Sequence, residues 1–146
     1  MSQAEDTTAM MRGVIPYLSL ERAREAIAFY EKAFGAKVVG DIAMMPNDTR
    51  IANATLEING GALMVADHFP EMGETAARGG QGIAMQLVVV DGDQWWRRAV
   101  DAGCTVRMPF EKQFWGDRYG QLSDPFGIHW AMNEPSKDSL AKAKGS

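Results

Sequence analysis

The 146-residue sequence predicts an α+β fold made of two βαβββ modules in one chain. Three observations predict it. The order strand, helix, strand, hairpin occurs twice, and each copy holds one helical pattern stopped by a glycine. Identities also recur at constant spacing. Ile15 with Ile83, Gly35 with Gly103 and Val38 with Val106 share one offset; Leu56 with Leu122 and Gly61 with Gly127 share another.

Taken in order, "VIPYLSL" is apolar with Pro16 near its start, which predicts a strand at an edge or beginning. In "ERAREAIAFYEKAFG", Ala23, Ala26, Ile27, Tyr30 and Phe34 recur at helical spacing and Gly35 marks the stop. "AKVVGDIAMM" predicts a strand and "PNDTR" a turn. "IANATLEI" and "ALMVAD" predict a hairpin around "NGG", because Asn-Gly supplies the positive φ of a tight turn. The second half repeats this order with the strand "IAMQLVVV", the helix "DGDQWWRRAVDAG" and the strand "CTVRMPF". Trp95 and Trp96 are adjacent, so one can face the sheet while the other points away. "YGQLSD" and "IHWAMNE" close the half as a hairpin around "PFG", with Asp124 placed to cap that turn. A single domain over 13–134 therefore comprises module 1 (13–67) and module 2 (83–134), joined by a loop at 68–82. Flexible segments are expected at 1–12 and 135–146.

Hydrophobic residues at 46% and charged residues at 23% describe a folded globular chain. No apolar run approaches the ~20 residues that cross a bilayer, so no membrane partner is expected. The polar, acid-bearing start "MSQAEDTTAMM" is not a secretory leader, which predicts a cytoplasmic location. The net charge is −4 and "WWRRA" is the nearest approach to a basic stripe, which argues against nucleic acid. The same balance accommodates a neutral or cationic small molecule more easily than a polyanion. The lone Cys104 reads as a buried structural thiol in a reducing compartment. Phosphate-loop, zinc-protease and serine-hydrolase motifs are missing from the sequence.

The strings "PYL", "AIAFYEKAFGAKVV", "HFPEMG" and above all "QFWGDRYG" joined to "DPFG" carry a family resemblance. With the paired modules they resemble the vicinal oxygen chelate superfamily of glyoxalase I, bleomycin-resistance proteins and extradiol dioxygenases, and within it the PhnB-like branch. The resemblance covers about residues 13 to 134. It implies open, curved mixed sheets that form a cup for ligands, and a homodimer, which is also the commonest soluble assembly.

Metal-using members of that superfamily place one ligand on the first strand and one on the last strand of each module. Here those positions fall at Ile15 and Ala84, and at about Val65 (or its neighbour Met64) and Ala131. All are apolar, and the chain has only two histidines, His68 and His129, so no metal and no cofactor is expected. Strand alternation from Ile15 and Ala84 turns Tyr17 and Gln86 toward the cup, at matching positions of the two modules. Many PhnB-like sequences have His at the Gln86 position; Gln keeps hydrogen bonding and loses proton shuttling. His129 shares the parity of Ala131. In the mouth loop "FWGDRYG", Trp115 and Tyr119 offer flat apolar faces with polar tips. Asp117 and Arg118 beside them suit a salt bridge, with one another or with the other module. Second readings stand beside these: Tyr17 as a core tyrosine, His129 as a satisfied strand residue, Trp115 as a lid on the core.

The expected function is thus metal-free binding of a small organic molecule, aromatic or cationic, through Tyr17, Gln86, Trp115, Tyr119 and His129. The alternative is a metal-dependent lyase or dioxygenase of the same superfamily with a displaced metal site. Gln86 and His129 with Glu57, Glu111 or Asp124 would supply its ligands.

Overall fold

The structure is a computed structural model that describes residues 10–79 and 82–138. The expected flexible segments at 1–12 and 135–146 lie largely outside the described residues, as do positions 80 and 81 of the joining loop. The chain divides into unit 1, Met1–Ala77, and unit 2, Arg78–Ser146.

Unit 1 runs β1 (Tyr17–Leu20), α1 (Ala23–Phe34), β2 (Lys37–Met44), β3 (Ile51–Ile58) and β4 (Gly61–Asp67). A short 3-10 turn over Pro70–Met72 follows in what the sequence presents as plain loop. Unit 2 runs β5 (Met85–Val88), α2 (Gly92–Ala102), β6 (Thr105–Lys112), β7 (Arg118–Ser123) and β8 (His129–Glu134). Each forms a four-stranded mixed sheet, in the orders β1-β4-β3-β2 and β5-β8-β7-β6. In both, the first strand pairs parallel with the last and the remaining pairs are antiparallel. Neither sheet closes into a barrel, because its two outer strands pair on one side only.

β1 and β5 are shorter than the apolar runs that predict them. Val14 is 99% exposed and Ile83 61%, so those residues precede the strands rather than extend them. The β3–β4 hairpin turns at Asn59 and Gly60, with φ of 52° and 82°. Both central residues of such a turn need positive φ, the reason for the Asn-Gly pair there.

One face of each sheet packs beneath its helix. In unit 1 that face carries Leu18, Leu20, Ala54, Leu56, Leu63 and Val65, all buried, under Ala26, Ile27 and Tyr30 of α1. In unit 2 it carries Leu87, Gly120, Leu122, Trp130 and Met132. Of the adjacent tryptophans, Trp96 is the one that meets the sheet: it stacks on Phe110 at 5.4 Å between centroids. A Cβ built at Gly120 would lie 2.8 Å from its ring.

Neither helix caps itself with a side chain at its N-cap residue. An acid at the end of the last strand does so instead. Asp67 Oδ1 accepts from Ala23 N at 2.9 Å, and Glu134 Oε2 accepts from Gly92 N at 2.8 Å. A carboxylate there satisfies an orphan amide and meets the positive end of the helix dipole. The second Asp67 oxygen accepts from Ile51 N at 2.7 Å, tying β3 to the same point.

Candidate functional site

The faces away from the helices carry the sequence-predicted site residues. Cross-strand register decides which side chains share a row. In unit 2, Gln86 aligns with Ala131, Ala131 with Gln121, and Gln121 with Met108. Two residues along β8 in one direction, His129 aligns with Ser123; two in the other, Asn133 aligns with Val88 and Tyr119. Side chains two apart on a strand share a face, so Gln86, Tyr119, Gln121 and His129 surround the small Ala131 on one surface.

Trp115 joins them from the β6–β7 loop. Its ring meets Tyr119 edge-on at 5.8 Å and 63°, and Phe114 packs against Trp115 at 4.9 Å. The loop is held by Asp117, which accepts from Asn133 Nδ2 at 3.1 Å and from Ser136 N at 2.8 Å. Arg118 reaches across its own unit, 2.6 Å from Asp93 and 3.4 Å from Glu134, with its guanidinium 4.4 Å over the Phe110 ring. Its bond holds the Asp93 carboxyl below the usual carboxylate range. Asp117 and Arg118 thus each meet partners on other elements of their own unit.

Tyr17 lies at the matching place of unit 1, paired with Met64, and is 51% exposed rather than part of the core. Its hydroxyl donates to the Ala52 carbonyl at 3.1 Å. Four of the five site residues are therefore gathered in unit 2 and one stands in unit 1. Two further polar residues make contact with this group. Gln121 Nε2 donates to Tyr119 Oη at 2.9 Å, and Arg107 Nη1 lies 2.8 Å from His129 Nδ1. Gln121 shares the parity of Tyr119, and Arg107 interrupts an apolar run; those were the signals available.

The superfamily's metal positions can now be tested against their donors. Ile15 and Ala84 precede β1 and β5, and Val65 is fully buried on the helix side. Met64, not Val65, therefore shares the face of Tyr17 and corresponds to Ala131. These places are all apolar, and the side chain paired with Met64 in unit 1 is the phenol of Tyr17, while that paired with Ala131 in unit 2 is the amide of Gln86. Among the described residues no three His, Cys, Asp or Glu side chains converge as metal ligands. A divalent ion needs several such donors at one point, so these residues do not fit one. Asp124 is committed elsewhere. It is buried, accepts from Phe126 N, Ile128 N and Trp130 Nε1 at 2.8 to 2.9 Å, and caps the "PFG" turn as its position predicts. Cys104 is buried too; desolvation, with the Asp124 charge second, pushes its thiol up to about 12. No helix among the described residues is long and apolar enough to cross a membrane.

Comparison with known proteins agrees with this architecture. A protein of Pseudomonas aeruginosa of known crystal structure superposes with a TM-score of 0.68 at 26% identity, covering 86% of this chain and 99% of that one. A superfamily member from Sphaerobacter thermophilus gives a TM-score of 0.64 at 25% identity, with 86% and 99% covered. An uncharacterized protein of Mycobacterium bovis is 40% identical over 129 residues, 84% of this chain and 83% of the relative. Residues 18–132 match the family model described as Glyoxalase/Bleomycin resistance protein/Dioxygenase superfamily. With two βαβββ sheets in the same order and that match across both units, the chain belongs to the glyoxalase/bleomycin resistance protein/dioxygenase superfamily.

Proposed function

We propose that the chain is a PhnB-like small-molecule-binding protein that works without a metal at the superfamily's ligand positions. Gln86, Trp115, Tyr119 and His129 form the binding face of unit 2, and Tyr17 holds the corresponding position on the face of unit 1. The observation that carries this reading is the unit 2 face itself. A small residue, Ala131, is surrounded by two amides, a tyrosine and a histidine, with Trp115 against the tyrosine. Apolar and aromatic surface with a few directional polar groups is the usual make-up of a small-molecule site. The strings "QFWGDRYG" and "DPFG" support the PhnB-like placement. A PhnB protein from Bacillus cereus shares the fold at a TM-score of 0.62 and, at 17% identity, supports nothing finer.

The test is a screen of aromatic and amphipathic compounds read by tryptophan fluorescence and thermal shift. All four tryptophans, Trp95, Trp96, Trp115 and Trp130, lie in unit 2, so their emission reports on that unit. Trp115→Ala or Gln86→Ala should weaken a hit by about ten- to a hundredfold, the effect of losing a hot-spot contact. A hit that neither substitution weakens places the site elsewhere. Elemental analysis of protein purified without chelators should find zinc, nickel, manganese and iron well below one per chain. A stoichiometric ion lost on mutating Gln86 or His129 would favour the lyase or dioxygenase reading. Exposed apolar strand residues, Val88, Val106 and Met108, support a homodimer; a single-chain mass in sedimentation at micromolar concentration would refute it.

A further inference from the structure

Arg107 contrasts with three arginines that meet carboxylates. Arg22 contacts Glu25, Arg50 contacts Asp48 and Glu71, and Arg118 contacts Asp93, each at 2.6 to 2.7 Å. Arg107 instead offers Nη1 to a ring nitrogen of His129 at 2.8 Å. A guanidinium only donates, so in this contact His129 Nδ1 is the acceptor. A neutral acceptor engages one N–H and leaves the positive charge uncancelled. Arg107 is exposed, and that one bond uses a single arm of its donor fork.

The backbone explains how Arg107 reaches this face. Val106 pairs with Leu122 and Met108 with Gln121, so Arg107 is an extra residue at a register shift. Thr105 pairs with Ser123 in the row of His129, so alternation carries Arg107, two residues on, to that same face, and the bulge sets Met108 there as well. At the other end of the face, Tyr119 Oη accepts from the Gln121 amide, which turns the hydroxyl hydrogen away as a donor. The His129 and Asn133 rows are four residues apart on β8, about 13 Å by strand rise. Of the nearby carboxylates, Asp124 and Asp117 are engaged in turns, and Glu111 aligns with Tyr119, at the end away from His129.

We infer that this face selects an amphipathic aromatic anion, its carboxylate, sulfonate or phosphate group against Arg107 and its rings against Trp115 and Tyr119. The inference rests on the small-molecule reading above and narrows it. It also reverses the sign suggested by the net charge of −4, because a charge at contact distance outweighs a diffuse one screened within about 10 Å.

The experiment titrates the full chain with 8-anilinonaphthalene-1-sulfonate and with neutral N-phenyl-1-naphthylamine, the same rings without the sulfonate. The intact protein should bind the sulfonate more tightly. Arg107→Gln should weaken the sulfonate by about tenfold or more, the loss of a charged hydrogen-bonded contact, and leave the neutral probe unchanged. Arg107→Lys keeps the charge without the fork and should retain part of the preference. Trp115→Ala should weaken both probes. Equal affinity for the two probes, or a preference that survives Arg107→Gln, overturns the anion assignment. If Trp115→Ala still weakens both probes in that case, the small-molecule reading survives; if it weakens neither, that reading fails with it.

Discussion

Where unit 1 has Ile27 in its helix and Ala54 in its sheet, unit 2 has Trp96 and Gly120. The correspondence follows from register: Ala54 pairs with Val65 as Gly120 pairs with Met132, and Asp67 and Glu134 cap the two helices at Ala23 and Gly92. In unit 2 the larger helix residue thus meets the smaller strand residue, where the lack of a Cβ at Gly120 makes room for the Trp96 ring. On the opposite faces the contrast is chemical. The row Tyr17, Met64 and Thr55 in unit 1 answers to Gln86, Ala131 and Gln121 in unit 2. One backbone plan therefore carries two surfaces, and the small, amide-lined one is where Trp115, Tyr119 and His129 also gather. Repetition of a fold does not repeat a site.

The largest expected difference between the units lies in their second hairpins. Asp124→Ala strips the acceptor from two amides and the Trp130 indole, all within a buried turn, and should cost about 3–5 kcal/mol. Glu57, which accepts from Gly60 in the exposed hairpin of unit 1, should cost no more than about 0.5 kcal/mol on truncation to Ala. Urea unfolding followed by circular dichroism measures both; equal costs would dissolve the contrast.

A smaller effect tests the complementary volumes. Gly120→Ala should cost about 1–3 kcal/mol, since its new Cβ would sit 2.7 Å from the Phe110 Cα and 2.8 Å from the Trp96 ring. Adding Trp96→Ile, the residue type of unit 1, should recover the share of that loss due to the ring and leave the share due to the Phe110 backbone, a coupling that a double-mutant cycle reads directly. Strict additivity would mean that the two positions do not share one space.

The mildest expectation concerns a residue type that only unit 2 possesses. With its thiol raised to about 12 by burial, Cys104 should react with a disulfide reagent at pH 8 on the order of a hundredfold more slowly in the native state than in urea. The native rate should rise as pH climbs toward that value, because the reactive thiolate appears only there. A fast native rate at pH 8 would show that unit 2 opens readily around β6.

How far the site was legible depends on the distance over which each signal acts. Tyr17, Gln86 and His129 can be assigned a face by counting alternate residues, and the strand register puts Gln86 and His129 in rows that share a face with Ala131. Trp115 and Tyr119 were visible as rings in a loop, and their mutual contact is local. Arg107 shares the parity of Thr105, but its place beside His129 depends on how β6, β7 and β8 pair, which no count along one strand supplies. The choice between Val65 and Met64 was undecidable by count, since a slip of one residue flips the face; pairing with Tyr17 settled it.

By itself, the sequence determined the order of elements, the hairpin at Asn59-Gly60, the carboxylate cap at Asp124 and the apolar character of the superfamily's metal positions. Each depends on periodicity, on backbone φ or on residue type, which neighbours along the chain dictate. Tertiary structure alone decided that Trp96 faces the sheet and Asp67 and Glu134 cap distant helices. It also decided that Arg107 meets His129. Those outcomes depend on strand register and on the space left by residues far away in sequence, and no local pattern encodes either.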